Sequence, residues 1–121
     1  MATTVVVYAE DLLSGLQVRD TAQKLGYSAK TAEALPELIQ EIISSPQLLL
    51  VDASVQPDWS WVVGAARAHR VPVVAFGNHT DLVGRERALA AGVDAVVANS
   101  LVATDLAGII RRYARPPDRG P

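Results

Sequence analysis

Two short apolar runs, Val5-Val6-Val7-Tyr8 and Leu48-Leu49-Leu50-Val51, stand out from amphipathic surroundings. A run of four or five apolar residues without polar alternation suits a strand buried on both faces, as in a parallel sheet. Elsewhere apolar positions return every three or four residues, so strand and helix alternate along the whole chain and predict βαβ units. The pattern places strands over 3–9, 28–32, 47–52, 71–76 and 94–98. A first helix over 12–25 carries apolar Leu12, Leu16, Ala22 and Leu25 and is stopped by Gly26. A second spans 35–43 with Pro36 in its first turn, where a missing N–H costs nothing. Asp58 caps a third over 59–69. A fourth starts from Asn78 or Thr80 and ends at Gly92, and a fifth covers 101–113. Gly84 and Gly108 fall inside the last two helices; simple tolerance is the default reading, and close approach of a neighbouring helix or another subunit the alternative.

Right-handed crossovers through five strands give the order 2-1-3-4-5, a flavodoxin-like doubly wound sheet with helices on both faces. Strands one and three are then neighbours. Their carboxyl ends, Glu10-Asp11 and Asp52, meet in the crevice where such sheets bind ligands. Three carboxylates without an adjacent lysine or arginine repel one another unless a cation neutralises them, and oxygen-only ligands favour a hard ion such as Mg2+.

The chain has 121 residues, no cysteine and no internal linker, which suits one domain in a reducing compartment. Its apolar segments are too short and interrupted for membrane spans, and no signal peptide opens it, so a cytoplasmic location is expected. A net charge of −2 argues against a grip on nucleic acid. Residues 1–60 hold eight acids against three bases, whereas residues 61–121 hold five acids against eight arginines. That asymmetry reads either as ordinary solvated helix faces or as a basic docking face. His69 and His79 fall at a helix end and in a loop, and suit solvated or capping roles. Ser54 has no histidine signature near it to support a hydrolase. Trp59 and Trp61 are two apart on a helix, so one faces the core and the other does not.

The chain resembles the receiver domain of bacterial two-component response regulators over roughly residues 3–115. Pro46-Gln47-Leu48-Leu49-Leu50-Val51-Asp52 is similar to the run that ends in the family's phospho-acceptor aspartate. Glu10-Asp11 falls at the acidic magnesium-binding pair, and Leu25-Gly26-Tyr27 at the end of the first helix. Arg85-Glu86-Arg87-Ala88-Leu89-Ala90-Ala91-Gly92-Val93-Asp94-Ala95 follows the family's fourth-helix segment. The resemblance implies one domain over 1–115 with a disordered tail over 116–121, and Asp52 as acceptor with Glu10, Asp11 and Asp52 holding Mg2+. It also implies a histidine kinase or another signalling protein as partner.

Several positions depart from that pattern. Gly77 stands where the family keeps a hydroxyl, Asn99 where it keeps a lysine, and Val96 where it keeps an aromatic switch residue. The proline after the acceptor is displaced to Pro57. A lost charged hydrogen bond in a partly buried site costs about 1.5–3 kcal/mol. Losing three groups together marks an atypical, pseudo-receiver-like module, not an enzyme, with at most Mg-dependent self-phosphorylation at Asp52. Such a module signals through its surface, with Arg85, Arg87, Arg111 and Arg112 as the interaction face and a homodimer through the last two helices in keeping with the family. No output domain follows in these residues, so the chain acts through a partner or derives from a longer regulator. A flavin or cobalamin site is disfavoured: the acids of the first loop repel a phosphate, and Asp52-Ala53-Ser54 lacks the histidine of a cobalamin motif.

Overall fold

The computed structural model describes residues 3–9, 12–78 and 80–116, with residues 12–15 described by backbone alone. Strands β1 (Thr4–Tyr8), β2 (Ser28–Ala32), β3 (Leu48–Asp52), β4 (Val73–Gly77) and β5 (Ala95–Ala98) form one parallel sheet in the order β2-β1-β3-β4-β5. Helices α1 (Leu12–Lys24), α2 (Leu35–Ile43), α3 (Trp59–Ala68), α4 (Leu82–Ala91) and α5 (Asn99–Tyr113) connect and follow them. This is the doubly wound, flavodoxin-like architecture expected from the strand–helix alternation.

Side-chain alternation divides the apolar strands between two layers. Val6, Leu49, Val51 and Ala75 pack with Leu38, Ile42, Trp59, Val62 and Ala66 of α2 and α3. Val5, Val7, Leu48, Leu50, Val74 and Phe76 pack with Val18 and Ala22 of α1 and with Val102, Leu106, Ile109 and Ile110 of α5. Both layers are apolar, and β3 carries no polar residue until Asp52. Truncating Leu49 or Leu50 to alanine would cost about 2–5 kcal/mol.

Helix ends follow the chemistry of their cap residues. Gly26 (φ 88°) and Gly92 (φ 101°) take the left-handed conformation that closes α1 and α4. At α1 the Tyr27 N–H donates to the Ala22 carbonyl and the Gly26 N–H to that of Gln23, the paired bonds of a Schellman motif. Arg70 (φ 59°) occupies the equivalent place after α3, with Val71 bonded back to Ala66, so a side-chain-bearing residue takes the conformation that suits glycine. Asp58 caps α3 by accepting from the Trp61 N–H at 3.2 Å.

Three expectations need correction. Leu16 is 51% exposed; the buried face of α1 runs through Val18 and the expected Ala22. The cap of α4 is Asp81, which accepts from the Gly84 N–H at 2.9 Å, while Asn78 closes the preceding turn by accepting from Thr80. Helix α5 starts at Asn99 and breaks at Asp105 (φ −145°, ψ 49°), which caps a second segment through the Gly108 N–H at 3.1 Å. At Gly84 and Gly108 the nearest atoms belong to the helix's own capping aspartate, Asp81 and Asp105. Each lies under its own capping carboxylate, in the same Asp-x-x-Gly spacing, where a Cβ would meet that carboxylate.

The amino end of the sheet is tied by one buried polar residue, Gln47. Its Oε1 accepts from the Thr4 N–H at 2.7 Å, its N–H donates to the Thr4 carbonyl at 2.8 Å, and its carbonyl accepts from the Arg115 N–H at 2.9 Å. Arg115 also donates to the carbonyls of Ser45 (2.8 Å) and Pro46 (3.0 Å), and its own carbonyl accepts from the Tyr27 hydroxyl at 3.0 Å. Burial pushes the Tyr27 phenol above its ordinary value of 10.0. Tail positions 117–121 lie outside the described residues.

Candidate functional site

The carboxyl ends of β3, β4 and β5 bring together Asp52, Gly77 and the start of α5. Asp52 is the last residue of β3, reached because the apolar run ends there, and it is half-buried. Its Cα partner across the sheet is Phe76 of β4, and Gly77 in turn pairs with Ala98 of β5. The Asp52 carboxylate is engaged locally: Oδ1 accepts from the Ser54 N–H at 2.9 Å and caps the 3-10 turn Ala53–Val55. Gln56 follows in the left-handed conformation (φ 50°), which turns the chain into Pro57 and Asp58.

Glu10 and Asp11 lie outside the described residues. The β1–β3 register sets Tyr8, the last residue of β1, beside Val51, the residue before Asp52. Asp52 is thus the one predicted metal ligand among the described residues, and no group of three histidine, cysteine or carboxylate residues among them is placed to hold a metal.

The three departures from the receiver pattern acquire geometry here. Gly77 packs directly on the turn after Asp52: a Cβ built on it would lie 3.2 Å from the Ala53 Cβ. The volume a hydroxyl-bearing side chain would need is therefore bordered by the Ala53 methyl. Asn99 is the first, exposed residue of α5. Val96 is half-buried on β5 opposite Ala75. Gly77 and Val96 both line a cavity of 60 Å³ between β4, β5 and α4, together with Ala53, Asn78, Asp81 and Arg85.

The remaining candidates divide cleanly. Trp59 is buried between α3 and the sheet, whereas Trp61 is 37% exposed. His69 is the C-terminal cap residue of α3, and His79 lies outside the described residues. Arg85 and Arg87 on α4 and Arg111 and Arg112 on α5 are all exposed. Around the first pair, Leu82, Val83 and Leu89 of α4 are also exposed, and the Arg112 guanidinium lies over the Tyr113 ring, 5.6 Å from its centroid. The one ion pair among the described residues is Lys30–Glu41 at 3.7 Å, so these arginines face solvent without a described carboxylate beside them.

Sequence reasoning passed over the polar residues that hold the site's frame. Asp94 Oδ2 accepts from the Val73 N–H at 2.7 Å while the Asp94 N–H donates to the Val73 carbonyl at 2.8 Å, which fixes the entry of β4. Arg67 donates to the Gly92 carbonyl at 3.1 Å, over the face a side chain at Gly92 would occupy. Gln17 of α1 donates to the Val102 and Ala103 carbonyls at 3.2 and 3.1 Å, at the end of the first segment of α5. The repeated Asp-x-x-Gly spacing at 81–84 and 105–108 was a legible signal for both helix starts; the bonds of Gln17 and Arg67 depend on tertiary placement and leave no local pattern.

No protein-family pattern and no curated protein sequence matches this chain. Solved structures do. A response regulator from Thermotoga maritima superposes with a TM-score of 0.78 at 16% identity, covering 93% of this chain and 98% of that one. A response regulator signal receiver domain from Bermanella marisrubri gives a TM-score of 0.78 at 13% identity, with the same coverage of both chains. A CheY-like response regulator receiver domain from Methanospirillum hungatei gives 0.75 at 19%, covering 93% of each chain. The fold is that of response regulator receiver domains.

Proposed function

We propose that this chain is a receiver-fold signal-transduction module that works through protein–protein contact, with phosphorylation chemistry at Asp52 degenerate. The observation that carries this reading is the contact between Gly77 and Ala53. A Cβ at this place would lie 3.2 Å from the Ala53 methyl, so a hydroxyl residue there requires the turn after Asp52 to give by a few tenths of an ångström. Asn99 supplies no cation at the start of α5, and Val96 supplies no aromatic ring. In this reading the module is not an enzyme, acts in the cytoplasm, and carries its partner surface on α4 and α5. Exposed Leu82, Val83 and Leu89 set beside Arg85 and Arg87 suit such a surface, because interface cores favour apolar groups and arginine. A histidine kinase, another signalling protein or a second copy of the chain are the expected partners.

A second reading keeps Asp52 as a phospho-acceptor. It is favoured by the position of Asp52 at the end of the central strand, half-buried and unpaired with any described cation. Mg2+ held by Asp52 with Glu10 and Asp11 would neutralise an incoming phosphate. The test is incubation with magnesium and acetyl phosphate followed by intact mass measurement, with Asp52→Asn and a standard receiver in parallel. The first reading expects no adduct while the standard labels; an adduct that disappears in Asp52→Asn would establish the second.

A further inference from the structure

We propose that the apolar stripe left exposed along α2 is the docking face for α4 of a second copy of this chain, in a head-to-tail contact. The proposal rests on the reading of α4 as a partner surface and supplies the face that meets it. Five of the nine residues of α2 are leucine or isoleucine, and of these only Leu38 and Ile42 are buried. Leu35, Ile39 and Ile43 are exposed, each four residues from the next, so they form one stripe along the length of the helix. A helix apolar over most of its circumference normally stands inside a protein, and here part of that circumference meets water. Helix α4 shows the same imbalance: Leu82, Val83 and Leu89 are exposed, with Leu82 and Leu89 seven apart on one face. No other helix exposes more than one large apolar side chain among the described residues.

Charge decides which faces meet. Helix α2 carries Glu37 and Glu41 and no base, with exposed Glu33 just before it. Lys30, 3.7 Å from Glu41, offsets one of these three charges. Two α2 faces would therefore set acid against acid, and what covers the stripe must be apolar and basic. Helix α4 combines both properties. Its exposed bases are Arg85 and Arg87; its acids are Glu86 and the capping Asp81, which sits at the positive end of the helix. Helices α2, α3 and α4 share one layer, through Leu38 and Ile42, Trp59 and Val62, and Ala88. Helix α2 leaves edge strand β2 and α4 enters edge strand β5, so the two stripes stand at opposite flanks of that layer. One molecule cannot bring its own stripes together. A pair of molecules leaves one α2 and one α4 face free, so the contact is heterologous and extends to a third copy. Stripes of three side chains make a contact well below the standard interface size, which sets its dissociation constant on the order of 0.1–1 mM.

The test is sedimentation equilibrium of the full chain between about 0.05 and 2 mM, which brackets that range. The weight-average mass of the parent should rise with concentration and pass that of a dimer. Ile43→Lys, at a side chain 56% exposed, spoils the α2 face; Leu82→Gln with Leu89→Gln, at 64% and 47%, spoils the α4 face, and both variants leave the core untouched. Each variant alone should associate at least about tenfold more weakly than the parent. Their equimolar mixture should rise toward a dimer and no further, because it contains one sound pair of faces. With Ile43→Lys isotopically labelled and the α4 variant added, backbone amide shifts should fall on residues 82–91; with the labelling exchanged they should fall on residues 35–43. A parent that stays monomeric would overturn the proposal, as would shifts on another surface or a mixture no heavier than its folded components. Association undiminished in Ile43→Lys but lost in the α4 variant would remove α2 from the contact while leaving α4 as a partner surface.

Discussion

Gly77 shows how much a single missing side chain decides. Its place at the end of β4 brings it within 3.2 Å, measured from a built Cβ, of the Ala53 methyl, and Ala53 is the residue after Asp52. Gly77→Ser should lower stability by about 1–2 kcal/mol through overpacking, and Ala53→Gly in the same chain should recover most of that loss. Urea denaturation of the two single variants and the double variant measures the coupling. A Gly77→Ser protein as stable as the parent would mean the turn can yield to a hydroxyl, which would favour the phospho-acceptor reading. Tyr27 makes a second case at this scale. Its phenol is raised by burial and donates to the Arg115 carbonyl, so the folded state favours the neutral ring. The contribution is complete below the ordinary value near 10 and is lost as pH rises through the raised folded value. Urea midpoints between about pH 8 and 11 should therefore fall toward the alkaline end, and Tyr27→Phe should flatten that fall.

At the scale of elements, caps govern where helices begin and end. Arg70 holds a left-handed conformation that costs a side-chain-bearing residue about 1 kcal/mol, so Arg70→Gly should stabilise the protein by roughly that amount. Gly92→Ala should destabilise it by more, because φ is 101° and the Arg67 guanidinium covers the site. Asp105→Ala should cost about 1 kcal/mol by uncapping the second segment of α5. Thermal midpoints of the three variants would order them. The elements with a strong local pattern were legible in the residues themselves: the apolar runs of β1 and β3, the Pro36 start of α2, the Asp58 cap of α3, and the Gly26 and Gly92 stops. What escaped was set by tertiary partners. The bonds from Gln17 meet the carbonyls at the break in α5, which apolar periodicity does not register, and Leu16 is outward because the buried phase of α1 runs through Val18 and Ala22. For the candidate site, Asp52 was legible as the end of an apolar run, and Gly77 and Val96 only through the resemblance to receiver domains, whereas the Gly77–Ala53 approach and the cavity it borders arise only when β3, β4 and α4 are assembled.

For the molecule as a whole, the sheet has two ends with different work. Its carboxyl end carries the candidate site; its amino end is closed by the bonds of Gln47 and Arg115. Arg115→Ala should lower stability by about 1.5–3 kcal/mol, since it removes charged hydrogen bonds to the carbonyls of Ser45 and Pro46. Unchanged chemical denaturation in that variant would show that the clamp is dispensable. Because Asp52 stands at the opposite end of β3, the same variant should leave the environment of Asp52 and the cavity unaltered.

The Gln47 junction also bears on how freely the polypeptide could be rewired. Thr4 near one terminus and Arg115 near the other are both bonded to this one residue, so the two places where the backbone enters and leaves the domain are neighbours. A brief glycine–serine bridge joining them, with new termini opened in a surface connection between a strand and a helix, should give a circular permutant that keeps the same sheet.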